Sequence, residues 1–84
     1  TLFRSYMPKL INKSGEETVK ALLKIGFQIK TQKGSHIKIF RESVENNQLV
    51  IIPNHKMLKI GTLHSIYKKC REFLNDDELE GVFF

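Results

Sequence analysis

The sequence predicts an α+β domain of order α-β-β-β-α, with a three-stranded antiparallel sheet carrying two helices on one face. Three observations lead there. Apolar residues recur at helical spacing after Ser14, three short stretches alternate between Phe27 and Pro53, and a second amphipathic run follows Gly61. Eighty-four residues suit one domain with a single core.

Residues 1–12 form a lead segment with no clean period, in which Met7 is a candidate native start. The first helix opens on "SGEE", a capping box with Ser14 as N-cap and Glu17 at the third helical position. Val19, Leu22 and Leu23 make its apolar stripe, and Gly26 is expected to close it in a left-handed conformation. "FQIKT" then alternates, with Phe27 and Ile29 inward, as a half-buried strand. "QKGS" is the turn, where Gly34 supplies backbone freedom. In "HIKIFR", inward Ile37 and Ile39 place His36, Lys38 and Phe40 together on the opposite, open face. "ESVENN" is a polar connection, and "LVIIP" a third strand stopped by Pro53. After the loop "NHKMLKI", Leu63, Ile66, Tyr67, Cys70 and Phe73 or Leu74 share one stripe of the last helix, with Thr62 as the expected N-cap. The tail 75–84, acidic and then apolar, is given no structure.

Composition narrows the function classes. No stretch is long and apolar enough for a membrane span, and no secretory signal pattern is present. One cysteine, Cys70, excludes an internal disulfide framework and fits a reducing, cytoplasmic setting. The chain carries +5 overall, but residues 1–74 hold all 14 Lys and Arg against five acids, a net of +9. A body that basic suits a polyanion, nucleic acid first among them. His36, His55, His64 and Cys70 lack paired-ligand spacing, so neither a metal nor another cofactor is expected.

The motifs "SGEETVKALLKIGF", "KGSHIKIF" and "IIPNHKMLKIGTLHSIYKK", in that order, resemble the HicA family of toxin–antitoxin mRNA interferases. The resemblance runs from Lys13 to Lys69. It is most specific at Gly34-Ser35-His36 and at Gly61-Thr62-Leu63 with Ile66, and Pro53 and His55 match the exit of the third strand. It implies a double-stranded-RNA-binding-like fold, metal-independent cleavage of mRNA, and inhibition by a HicB-like antitoxin. It also carries the functional histidine onto His36 and the flexible glycine onto Gly34. This chain departs from many members at Ile37, where a second histidine or polar residue is common, and its tail after Cys70 has no counterpart.

The residue types fit that chemistry. RNA brings its own nucleophile, the 2′-hydroxyl beside each phosphate, so an enzyme need only move protons and stabilise a crowded phosphate. Histidine titrates near neutrality and suits the proton work as general acid or base. Lys33 and Lys38 are placed to neutralise phosphate charge. Gly34 and Ser35 offer backbone and hydroxyl contacts to it, though a turn glycine and a local turn hydrogen bond explain them equally. Phe40 is a stacking candidate on the open face or a residue covered by a loop. His55 is a candidate second proton-transfer group, Lys56 and Lys59 are candidate backbone contacts, and His64 reads as surface. Two other functions share this element order. A non-catalytic double-stranded-RNA-binding module would ordinarily place a dense lysine pair at the start of the last helix, where "KIGTLHS" has only Lys59. A pure protein-interaction domain would use the basic face for an acidic partner.

Overall fold

The computed structural model describes residues 13–44 and 47–84. The lead segment 1–12, with its candidate start at Met7, and two residues of the "ESVENN" connection lie outside that range. The described order is α1 (Gly15–Leu23), β1 (Gln28–Lys33), β2 (His36–Arg41), β3 (Gln48–Pro53), α2 (Ile60–Cys70) and α3 (Asp76–Phe83). The strands form one antiparallel sheet of order β1-β2-β3. This is the α-β-β-β-α arrangement read from the sequence, extended by a third helix.

The start of α1 follows from its capping box. The Glu17 amide donates to Ser14 Oγ at 3.0 Å, and the Ser14 amide donates to Glu17 Oε1 at 2.9 Å. The bond from the Ser14 backbone, helped by the Ser14 side chain, holds the Glu17 carboxyl below its ordinary range. Val19 and Leu22 are buried. The helix ends three residues before Gly26, whose φ of +106° turns the chain into β1.

β2 and β3 alternate as their sequences require. Ile37, Ile39, Val50 and Ile52 are buried on the helix-bearing face, while Leu49 and Ile51 stand exposed on the other. β1 departs from expectation. All six of its residues are exposed, and Ile29 is 49% exposed instead of sealed inward. β1 is an edge strand, and its pairing with β2 shifts register between Ile29 and Thr31. The bulge falls after Ile29, which still pairs with inward Ile39 and is exposed because it lies at the sheet's edge; beyond the bulge, Thr31 and Lys33 stand opposite Lys38 and His36. The buried aromatic of this segment, Phe27, sits just before the strand.

α2 begins earlier than expected. Its N-cap is Lys59, without a side-chain cap, and Thr62 lies within the first turn. Leu58 explains the shift. It is buried and its amide donates to the Lys13 carbonyl at 2.9 Å, which fixes an extended approach directly before Ile60. α2 also stops at Cys70, so Phe73 and Leu74 pack from the turn that follows. Cys70 is fully buried, and burial pushes its thiol up to about 12, which leaves it unreactive at neutral pH.

The tail is a helix. Asn75 caps α3, accepting from the Glu78 amide at 2.8 Å while Glu78 Oε1 accepts from the Asn75 amide at 3.1 Å. Asp76, Asp77 and Glu78 occupy its first turn, where negative charge complements the helix dipole. Leu79, Val82 and Phe83 are buried, and Phe83 meets the Tyr67 ring edge-on at 5.3 Å. α3 contacts both α1 and α2, so a third helix packs against the two that were expected. Among the described residues, no helix is long and apolar enough to cross a membrane.

Arg41 joins these layers. It lies on the same side of β2 as Ile37 and Ile39, and its guanidinium reaches Gln48 Oε1 at 2.8 Å, the Ile25 carbonyl at 3.0 Å and Glu78 Oε2 at 2.9 Å. It also stands 5.0 Å from the centre of the Phe27 ring. β2, β3, the α1 exit and α3 thus meet on one side chain.

Candidate functional site

A two-residue turn, Gly34-Ser35, joins β1 to β2, with Lys33 directly opposite His36. Gly34 has φ +55°, as the primed turns of tight hairpins require, and a Cβ there would meet no neighbour within 4 Å. The glycine serves the turn's handedness; nothing crowds it.

His36 opens β2 and is exposed. It pairs with Lys33 of β1 on one side and Pro53 of β3 on the other. Alternation carries Lys38 and Phe40 onto the same face, with Thr31 and Gln28 opposite them on β1 and Ile51 and Leu49 on β3. Lys38 is two residues, roughly 7 Å, along the strand from His36. Phe40 is two further, roughly 13 Å from His36 at the far end of the same face. Lys38 and Phe40 are half-buried, while Lys33, Gly34 and Ser35 are exposed. The structure thus gathers Lys33, Ser35, His36 and Lys38 at one end of the open face and sets Phe40 apart.

The segment after β3 is stitched to this end. The Asn54 amide donates to the Ser35 carbonyl, and the Gly15 amide at the head of α1 donates to the His55 carbonyl at 2.8 Å. Gly15 is obligatory there, because a Cβ would fall 1.9 Å from the Pro53 carbonyl oxygen. The turn, the β3 exit and the start of α1 are therefore held as one unit. His55 and Lys56 extend from that exit and are exposed, as is Lys59 at the head of α2. His64, also exposed, lies within α2 and belongs to no cluster around His36. Among the described residues, no three His, Cys, Asp or Glu side chains are grouped to hold a metal ion.

Two features escaped the sequence reading. Asn54 serves as the backbone link to Ser35, and nothing in its type announces that. Leu49 and Ile51 form an exposed apolar pair on the His36 side of the sheet, which the alternation of "LVIIP" already implied.

The sequence model for the HicA toxin of bacterial toxin–antitoxin systems matches residues 15–71. The chain belongs to the HicA toxin family. No curated protein matches it. The match to HicA spans α1 through α2 and stops before α3. The capped helix that receives Arg41 is thus an addition beyond the matched span. Membership makes the protein the toxin half of a toxin–antitoxin pair and implies an antitoxin partner.

Proposed function

We propose that this HicA-family toxin is a metal-independent endoribonuclease that cleaves mRNA in the cytoplasm, with His36 as general acid/base. The observation that carries the reading is an exposed imidazole at the hairpin mouth, on the sheet face opposite the helices, with Lys33 across the ladder and Lys38 along the strand. His36 removes the proton of a ribose 2′-hydroxyl, whose oxygen attacks the adjacent phosphorus. The bond from phosphorus to the 5′-oxygen breaks, and that oxygen takes a proton from His36 or from His55. The products are a 2′,3′-cyclic phosphate and a free 5′-hydroxyl. Lys33 and Lys38 stabilise the phosphate charge as it builds, with no metal required. Ser35 and the Gly34 backbone contact the same phosphate, Phe40 stacks on a neighbouring base, and Lys56 and Lys59 hold the flanking backbone.

Purified protein incubated with mRNA and excess chelator tests the reading. Cleavage should proceed at the rate seen without chelator. Tight binding of duplex RNA with no cleavage product would support a non-catalytic RNA-binding module instead.

A further inference from the structure

The two edges of the sheet are built differently. β1 is guarded as free edges of stable proteins are, with a bulge between Ile29 and Thr31 and lysines at Lys30 and Lys33. β3 has no such guard. Its residues Gln48–Ile52 carry no charge, its pairing with β2 runs without a register shift, and Leu49 and Ile51 are 38% and 50% exposed. Among the described residues no strand pairs with its outer edge. A groove of about 580 Å³ runs along that edge, lined by Leu49, Val50 and Ile51 of β3 and by Ser65, Ile66 and Lys69 of α2. An unguarded ladder beside a groove of mixed apolar and polar lining is a geometry that takes up an added strand.

We propose that the outer edge of β3 receives an extended segment of the cognate antitoxin, which adds a fourth strand to the sheet and sets its apolar side chains into the groove against α2. RNA has no backbone amides to complete the ladder. A second copy of this chain would bring two cationic flanks together, because the last turns of α2 and the residue after it carry Lys68, Lys69 and Arg71 against one acid, Glu72. A partner with acids beside the inserted strand complements that flank. The added strand lies roughly 10 Å from β2, two ladder spacings away. From there the body of the antitoxin can extend over His36, which pairs with Pro53 at the end of β3. The partner rests on family membership; the edge it uses does not depend on the nuclease reading.

The test measures affinity of the full chain for its purified cognate antitoxin, with growth arrest scored alongside. Ile51→Lys puts a charge at the β3 edge on the open-face side, and Ser65→Trp fills the groove from the α2 wall without altering the open face. Both residues are exposed, so both variants should fold, which their melting curves verify. Each should weaken antitoxin binding by about 10-fold or more, and hydrogen exchange at the β3 amides should slow in the wild-type complex. Wild-type affinity in both variants, with no slowing at β3, overturns the proposal. So does a dimer of the toxin alone that Ile51→Lys dissolves, since a second copy would then occupy the edge. Failure of the nuclease reading shows separately, as wild-type chain that binds antitoxin and never arrests growth.

Discussion

His36→Ala is expected to lower RNA cleavage by roughly 10²–10⁴-fold, the usual worth of a positioned acid–base group, and to abolish growth arrest on expression. The fold should survive. The imidazole is exposed on a face opposite the core, and its removal opens no cavity. The melting temperature should therefore move little, since substitutions at such positions usually change stability by less than about 0.5 kcal/mol. The comparison is made by expressing both chains in matched cells and following growth together with mRNA integrity. Equal mRNA loss in the two cultures would remove His36 from the chemistry.

Arg41→Met should have the largest effect on stability. Methionine keeps much of the stem's volume but leaves the Ile25 carbonyl, Gln48 and the Glu78 carboxylate without the guanidinium that serves all three. Both members of the ion pair are mostly covered, at 20% and 25% side-chain exposure. A fully buried pair broken this way costs about 3–5 kcal/mol, and partial exposure reduces that to about 2–4 kcal/mol. For a chain of this size each 1 kcal/mol lowers the melting temperature by about 4–8 °C. Urea denaturation measures the loss directly.

The pH dependence identifies the cause. Burial raises the Glu78 carboxyl, but the hydrogen bond from Arg41, the bond from the Asn75 amide and the Arg41 charge outweigh it, and the group ends below its ordinary value of 4.5. A carboxyl lowered in the folded state contributes stability that is present above the unfolded value and lost as pH falls through the folded one. The wild type should thus lose this contribution on acidification below about pH 4.5. The difference between wild type and Arg41→Met should narrow over the same interval. A constant difference down to pH 3 would assign the cost to lost packing instead.

Much of this architecture was legible because it is governed by local rules. The capping box at Ser14 and Glu17, the alternation of β2 and β3, and the glycine turn before His36 each depend on neighbours a few residues away. What escaped reading depends on distant partners. Ile29 looks buried by pattern, yet whether an edge strand is covered is decided by elements elsewhere in the chain. Thr62 looks like a cap, but Leu58 and Lys13 set where α2 begins. Arg41 ends a strand in the sequence and only the folded chain shows it meeting Glu78, 37 residues later. The α3 helix was different, since "NDDE" carries the same capping signature as "SGEE" and accounts for Asp76, Asp77 and Glu78 at the head of a helix. Of the candidate site, strand parity placed His36, Lys38 and Phe40 on one face. Their company with the Pro53–Lys56 exit required the long-range bond from Asn54 to Ser35.

The central claim is that the RNA's own 2′-hydroxyl attacks while His36 moves the proton. Its most direct test is an RNA oligonucleotide cut by the wild-type protein, compared with the same oligonucleotide bearing a single 2′-deoxyribose on the 5′ side of the scissile phosphate. The account predicts that the deoxy substrate binds with similar affinity and is not cut at that position. Cleavage there at the rate of the all-ribose substrate would contradict it.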